Sequence, residues 1–202
     1  QQQQKWTATM HQFIKPEMVY LRGVPMLPMV GYQTTWQLRD PLLREQHKLM
    51  PLTETLPSDG VSADQWPISL AWANYHTVIS TSMEHTAVSN GSLLKTWTQD
   101  KRRFFEYQTQ QPMRPIASWF SVPYTPSSRV VQQINASHPV RLNVFTPSND
   151  SAIELHLTAM ADTLAWFDQY IAPYAQHQLN LFAMPQIKGS GTGYALPQNM
   201  MI

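Results

Sequence analysis

The seven histidines are the side chains of this sequence best suited to metal chemistry. A zinc-binding helix of the His-Glu-x-x-His type needs two imidazoles four residues apart, with the glutamate between them as general base. No two histidines have this spacing, and Glu84-His85 is followed by Thr86-Ala87-Val88, which lacks the second ligand. The sequence therefore predicts exposed or hydrogen-bonded structural histidines, rather than metal ligands, at His76, His85, His138, His156 and His177.

Nucleophilic and phosphate-binding motifs are also missing from the sequence. There is no cysteine and no Gly-x-Ser-x-Gly elbow, and the glycine-rich stretch 189–193 is not followed by the Gly-Lys-Ser/Thr of a P-loop. The cationic run 101–103 is typical of a solvated turn, and Trp166 and Phe167 are expected in the core. Judged by local chemistry alone, the sequence contains no recognisable catalytic apparatus.

The composition excludes several classes of protein. The chain has 202 residues, enough for one large or two small domains, with 13% charged residues and a net charge of +1. This charge does not provide the basic surface of a general nucleic-acid binder, so no nucleic-acid partner is expected. The lack of cysteine excludes disulfide frameworks and cysteine-based metal sites. No stretch has the roughly 18–20 consecutive apolar residues of a membrane span.

Short alternating segments predict strands over most of the chain. Residues 13–32 are interrupted by three prolines and favour short extended pieces, whereas 39–49 predict a helix with Asp40 as N-cap and Pro41 at its first position. Residues 51–67 are typical of a loop. Further strands are predicted at 76–82, 93–97, 104–108, 116–122, 129–131 and 140–145, with a hairpin turn at 99–102.

One long helix is predicted after this β-rich body. Ser151 and Glu154 have capping-box spacing, and the helix is expected to end before Pro173. Its apolar stripe comprises Ile153, Leu157, Met160, Ala161, Leu164, Phe167 and Ile171. A buried strand at 179–184 and a mobile loop at 188–193 follow. The predicted fold class is mainly β with α: an antiparallel β-sandwich or saddle followed by a helix and strand that begin a second domain.

Four segments carry recognisable motifs: residues 21–32 with Gly31-Tyr32, 37–45 with Asp40-Pro41, 103–113 with Pro112-Met113, and 165–185 with Pro173-Tyr174 and Met184-Pro185. In this order they resemble the membrane alanyl aminopeptidase family of gluzincin zinc metallopeptidases, and in particular its bacterial permease-fused members. Residues 1–12, which begin with four glutamines, are expected to be a linker or a frayed terminus. The resemblance implies an N-terminal β-saddle domain over 13–145 and the first helix and strand of a thermolysin-like α/β catalytic domain over 146–202.

The resemblance also implies where a substrate would bind. The family's Gly-Ala-Met-Glu-Asn loop, which engages the substrate and its amino terminus, falls at Gly191, Thr192, Gly193 and Tyr194. No glutamate follows Glu154, so the usual anchor for the amino terminus is missing. The family's zinc ligands lie downstream of this strand. The chain is therefore expected to hold no cofactor and to be catalytically inert, with Zn and peptide substrate bound only in the parent protein if that downstream helix is present.

The expected partner is the downstream catalytic-like domain of the same polypeptide. Without it, self-association through exposed apolar surface is expected. The permease-fused members imply an extracytoplasmic segment, on the periplasmic side, of a bacterial membrane protein. Two alternatives remain open. One is a β-sandwich binding or assembly module in the extracytoplasmic part of a membrane transporter complex, which 11% aromatic residues and the low charge favour. The other is a complete enzyme with an unrecognised active site.

Overall fold

The computed structural model describes residues 8–9, 12–23, 38–51, 72–114, 116–147, 151–184 and 193–202. The strands are β1 (Ala8–Thr9), β2 (Gln12–Lys15), β3 (Met18–Arg22), β4 (His76–Thr81), β5 (Thr86–Val88), β6 (Ser92–Gln99), β7 (Arg102–Gln108), β8 (Ser118–Val122), β9 (Ser127–Gln132), β10 (Pro139–Phe145), β11 (Gln178–Phe182), β12 (Tyr194–Leu196) and β13 (Asn199–Met201). The helices are α1 (Pro41–Gln46) and α2 (Ile153–Tyr170). Within the described residues, neither is long and apolar enough to cross a membrane.

The chain divides into two compact units, residues 28–71 and the remainder. Several predictions lie outside the described residues. These are the extended pieces after residue 23, most of the loop at 51–67, and residues 188–192 of the glycine-rich loop.

In the smaller unit, helix α1 confirms the helix predicted over 39–49, in a shorter form. Asp40 is its N-cap, and its Oδ1 accepts a hydrogen bond from the Leu43 backbone N–H at 2.9 Å. The helix ends before Lys48, which has a φ of 52°. The Arg44 guanidinium then donates to the Met50 carbonyl oxygen and holds the following turn.

The first sheet of the larger unit has the strand order β1-β2-β3-β8-β5, with every pair antiparallel. On β8 the residues alternate: Phe120 and Val122 are buried, while Trp119 and Ser121 are half-buried on the opposite face. The Phe182 ring of β11 stacks on Phe120 with centroids 3.8 Å apart. The core between this sheet and the third sheet includes Phe13, Met18, Tyr20, Phe120, Val122, Phe145, Phe182 and Met201.

The second sheet, β4-β7-β6, is also antiparallel and contains the predicted hairpin. Strands β6 and β7 are joined by Asp100 and Lys101, whose φ angles of 49° and 59° are those of a type I′ turn. Of the cationic run 101–103, which was predicted as a solvated turn, only Lys101 lies in the turn. Arg102 and Arg103 belong to β7, and their guanidinium groups donate to β4 and to the segment before β5.

The third sheet, β12-β13-β11-β10-β9, is mixed. Strands β10 and β11 are parallel neighbours, and α2 crosses between them and packs on one face of the sheet. Strands β11 and β13 are also parallel, whereas β9 and β12 run antiparallel to their neighbours. The domain boundary predicted between residues 145 and 146 lies inside this βαβ unit. The fold class, mainly antiparallel β with a long helix, is confirmed.

Helix α2 begins later than its sequence predicts. Its N-cap is Ala152, so the predicted capping box of Ser151 and Glu154 does not form. The Glu154 carboxylate instead accepts a hydrogen bond from the Arg129 guanidinium of β9 at 2.7 Å. The first part of the apolar stripe is buried as predicted, at Leu157, Met160 and Leu164.

At the C-terminal end of α2, the buried position belongs to Asp168 rather than Phe167. Asp168 is 5% exposed, and its carboxylate accepts the backbone N–H groups of Ile134 and Asn135, which follow β9. Phe167 and Ile171, predicted in the apolar stripe, are 44% and 62% exposed. The helix presents the carboxylate inwards because these backbone donors need a buried acceptor.

Candidate functional site

The predicted substrate loop leads into a short hairpin at the edge of the third sheet. Gly191 and Thr192 lie outside the described residues, whereas Gly193 directly precedes β12 and Tyr194 is the first residue of β12. Tyr194 pairs with Met201 of β13. A Cβ atom on Gly193 would lie 2.8 Å from the Met201 carbonyl oxygen, so the close approach of the two strands requires glycine at this position.

Tyr20 of β3 lies close to both Arg22 and Tyr194, because both act electrostatically on its pKa. Tyr20 and Arg22 are two residues apart and point to the same face of the first sheet, towards the core against which Tyr194 packs. Tyr20 Oη and Arg22 Nε are both buried, and neither has a hydrogen-bond partner in the described part of the chain. Burial raises the pKa of Tyr20 to about 12, while the Arg22 charge opposes this rise and Tyr194 adds to it.

This arrangement favours negative rather than positive charge beside the hairpin. A guanidinium group attracts anions, and a phenol whose pKa is about 12 stays protonated at neutral pH and can donate a hydrogen bond. An amino terminus, by contrast, would be repelled by Arg22. Sequence reasoning missed both Tyr20 and Arg22. The signal that could have found them is a charged residue ending the otherwise apolar strand Met18–Arg22.

A chain of buried side chains fixes the hairpin to the rest of the sheet. Asn143, Asn180 and Asn199 occupy adjacent positions on β10, β11 and β13. Asn143 Nδ2 donates to Asn180 Oδ1, and Asn180 Nδ2 donates to Asn199 Oδ1, each at 2.8 Å. Asn199 Nδ2 donates to Ser118 Oγ at 2.8 Å, and the Ser118 backbone N–H donates to Asn90 Oδ1. This asparagine network therefore connects the third sheet to the first.

A second set of hydrogen bonds holds the turn of the hairpin. Gln198, in the turn between β12 and β13, accepts the backbone N–H of Gly91 through Oε1. Gln178 Nε2 donates to the Gly91 carbonyl oxygen. Asn90 Nδ2 donates to the Pro197 carbonyl oxygen. Both backbone polar groups of Gly91 are thus bonded to side chains of the third sheet and its hairpin.

Several histidines have structural contacts with neighbouring side chains. His76 Nε2 lies 2.7 Å from a carboxylate oxygen of Glu106, and the rings of His138 and His177 stack with centroids 4.2 Å apart. Partial burial and the adjacent His138 lower the pKa of His177. Across the described residues, no group of three or more His, Asp or Glu side chains is arranged to hold a metal ion.

Trp166 and Phe167 are not core residues, contrary to their prediction. They are 52% and 44% exposed, and Tyr170 beside them is 63% exposed. The Trp166 ring centroid lies 5.5 Å from that of Phe167 and 5.4 Å from that of Tyr170. These three side chains form a continuous exposed patch at the C-terminal end of α2, which we call the α2 aromatic surface.

Comparison with known proteins identifies the fold. No protein-family model matches the sequence, and no curated protein matches it. The structure is similar to that of aminopeptidase A from Legionella pneumophila in complex with aspartic acid, with 17% identity and a TM-score of 0.55 over 64% of this chain and 16% of that chain. It is also similar to a mutant M1 zinc metallopeptidase from Deinococcus radiodurans bound to a Tyr-Ser-Ala substrate, with 10% identity and a TM-score of 0.50 over 69% of this chain and 32% of that chain. The matches span a third or less of either peptidase, and the fold they share with this chain is a mainly β fold that resembles the N-terminal domain of M1 aminopeptidases.

Proposed function

We propose that this chain is the N-terminal, non-catalytic portion of a zinc aminopeptidase-like protein. The observation that carries the proposal is the fold likeness to two peptidases, of which the match spans only 16% and 32%. The four sequence segments that follow the order of the aminopeptidase family support it independently. Peptide hydrolysis would be an activity of the parent protein.

Zinc belongs to the proposed parent protein rather than to this chain. A hydrolytic zinc site needs three protein ligands and a nearby general base. The His-Glu-x-x-His pattern does not occur in the sequence, and the part of the chain that the structure describes has no group of three His, Asp or Glu side chains placed to bind a metal. The described residues therefore do not fit a zinc ion, and no catalytic step is assigned to them.

Residues 191–194 would contact the substrate in the parent protein. The support for this assignment is that Gly193 and Tyr194 lead into β12, the edge strand of the third sheet. An edge strand has backbone groups that can pair with an extended peptide. Because Arg22 and Tyr194 both lie close to Tyr20 and no glutamate follows Glu154, this edge would attract carbonyl or carboxylate groups of a peptide rather than its amino terminus.

The downstream part of the parent polypeptide is the proposed partner of the α2 aromatic surface. Three adjoining exposed aromatic side chains are unusual on the surface of a soluble domain and are typical of an interaction site. The proposed location, on the periplasmic side of a bacterial membrane protein, rests on the sequence resemblance to permease-fused members.

A binding or assembly module is the second candidate function, and the outer face of the second sheet favours it. Trp97 stacks on Phe104 with ring centroids 5.1 Å apart, and Lys95 Nζ lies 5.2 Å from the Trp97 ring. Aromatic rings flanked by a cation are common at protein and ligand interfaces. In this function the chain would bind a partner without any contribution to peptide hydrolysis.

The isolated chain is expected to bind no stoichiometric zinc and to hydrolyse no amino-acid arylamide, because its sequence has no His-Glu-x-x-His pattern and its described residues include no metal-binding group. Purified protein would be dialysed against zinc, its metal content measured by plasma mass spectrometry, and its hydrolysis of alanyl p-nitroanilide recorded with and without a chelator. One bound zinc ion per chain together with chelator-sensitive turnover would contradict the proposed function.

The α2 aromatic surface is expected to make the isolated chain self-associate as its concentration rises. The double substitution Trp166→Gln and Phe167→Gln is expected to weaken self-association at least about tenfold, because aromatic anchors dominate such contacts. Multi-angle light scattering across a wide concentration range measures the effect. Val78→Thr is the matched control, since Val78 is 52% exposed on β4 and its loss should change nothing. A wild-type chain with one monomeric mass at every concentration would refute this assignment.

A further inference from the structure

A cleft of about 460 Å³ opens on the outer face of the first sheet, the face opposite its core with the third sheet. The second sheet packs on this face through Ile79, Phe105 and Tyr107, which contact Ala87 of β5. The second sheet covers the part of this face near β5. The part near the β2–β3 hairpin, beside the edge strand β4, stays open. The volume lies in the range of roughly 300–1,000 Å³ that is typical of small-molecule sites.

Strand alternation gives the cleft an apolar floor. Leu21 pairs with Trp119, and Val19 pairs with both Ile14 and Ser121. Paired residues point to the same side of a sheet, so these five side chains share the outer face and line the cleft together. Four of them are apolar, and the Trp119 ring provides a flat surface within that floor.

Ser121 marks a polar end of the cleft. Its Oγ lies 2.6 Å from Thr81 Oγ1 and 2.9 Å from His85 Nδ1. Thr81 is 7% exposed and belongs to β4, while His85 lies just before β5. Two other segments therefore fix this hydroxyl group, and the cleft has neutral hydrogen-bonding groups beside its apolar floor.

Two cationic residues, Lys15 and Arg102, lie at the cleft. The Lys15 ammonium belongs to the core side of the sheet, where its Nζ lies 5.3 Å from the centroid of the buried Phe13 ring, so Arg102 supplies the charge of the cleft. Arg102 is held in place, since its Nε donates to Ser80 Oγ at 3.0 Å and its Nη2 donates to the Ser80 carbonyl oxygen at 2.7 Å. Neither Asp nor Glu occurs among the described residues that line the cleft, and neither cation forms an ion pair in the described part of the chain. The described lining of the cleft therefore has one positive charge, at Arg102, without a carboxylate beside it.

We propose that this cleft binds a small organic anion, a carboxylate attached to a flat apolar body. The carboxylate would accept a charge-assisted hydrogen bond from the Arg102 guanidinium, and such bonds are about twice as strong as neutral ones. It would accept a second bond from the Ser121 hydroxyl group, whose proton is free when Thr81 Oγ1 and His85 Nδ1 both donate to Ser121. The apolar body would lie on Trp119 and the aliphatic floor. None of the described residues that line the cleft belongs to the hairpin at Tyr194, so this proposal can fail while the proposed function holds, and the reverse.

The probe is 3-phenylpropanoate, and 3-phenylpropanamide is its neutral counterpart of nearly the same shape. Each would be titrated into ¹⁵N-labelled protein while the indole N–H resonance of Trp119, assigned with Trp119→Phe, is followed. The carboxylate is expected to cause a saturable shift and to bind at least about tenfold more tightly than the amide, because only the carboxylate engages the Arg102 guanidinium as an ion. Equal binding of the two probes, or no saturable shift, would overturn the proposal.

Two variants locate the binding site. Arg102→Gln is expected to weaken binding of 3-phenylpropanoate at least about tenfold, and Ser121→Ala by a smaller factor of about three to ten. Lys101→Asn is the matched control, because it removes the same charge one residue away, outside the cleft, at a turn position whose positive φ asparagine tolerates. Thermal unfolding confirms that each variant is folded. If Lys101→Asn weakens binding as much as Arg102→Gln, the net charge rather than the cleft explains the effect and the proposal fails.

Discussion

Replacing Asn180 with alanine is expected to lower the free energy of unfolding by about 3–5 kcal/mol, one of the largest effects available in this fold. Asn180 is 1% exposed and sits in the middle of the asparagine network. Its side chain accepts from Asn143 Nδ2 and donates to Asn199 Oδ1. Alanine would leave a donor and an acceptor buried without partners, and each orphaned group costs about 1–3 kcal/mol.

Urea unfolding followed by circular dichroism measures this loss. Asn74→Ala is the matched control: Asn74 is exposed just before β4, so its replacement should change the free energy of unfolding by less than about 0.5 kcal/mol. Equal stabilities of Asn180→Ala and Asn74→Ala would show that the network contributes nothing to the fold. Because Asn199 belongs to β13, the Asn180 variant is also expected to loosen the β12–β13 hairpin.

Both helices and many of the strands could be predicted from the sequence because alternation and turn residues are local signals, whereas β12 and β13 were not predicted. The β6–β7 hairpin and the cap of α1 at Asp40 are examples. The asparagine network could not be predicted in this way. Asparagine in a strand is typical of an edge or a turn, so Asn180 within an apolar run gives no hint that it is buried. Its role depends on two partners on strands that are distant in sequence.

The end of α2 shows a second limit of sequence reasoning. Both Phe167 and Asp168 are compatible with the helical spacing of the stripe, and hydrophobicity favours the phenylalanine. The choice is decided by the backbone N–H groups of Ile134 and Asn135, which need a buried acceptor. No periodicity within the helix carries that information, so the aromatic side chains that form an exposed patch were predicted in the core.

One candidate site could be found from the sequence, and the other could not. The family resemblance directed attention to Gly193 and Tyr194, since a loop motif is contiguous in sequence. The cleft beside Ser121 joins β2, β3, β4 and β8, and its polar contacts link residues 36 and 40 positions apart. Such a constellation exists only after the strands pair, because it depends on which side chains share a face.

Gly91→Ala is expected to destabilise the protein by about 3–5 kcal/mol and to lower its melting temperature by about 10 °C. Gly91 has a φ of +95°, which a side chain rarely tolerates, and a Cβ atom there would overlap the backbone carbonyl of Gln108. Differential scanning calorimetry measures the effect. Thr96→Ala, on the exposed part of β6, is the control and should cost less than about 1 kcal/mol.

A second variant, Gly91→Asn, distinguishes the effect of the positive φ from the effect of steric overlap with Gln108. Asparagine tolerates positive φ better than alanine, so Gly91→Asn would recover stability if φ alone were responsible. Since the overlap involves backbone atoms of Gln108 that cannot move cheaply, Gly91→Asn is expected to be as unstable as Gly91→Ala.

Gln178 and Gln198 both bond to the Gly91 backbone, so displacement of Gly91 should raise amide hydrogen exchange in β12 and β13. Unchanged exchange in these strands would show that the hydrogen bonds to the Gly91 backbone do not hold the hairpin that carries Tyr194.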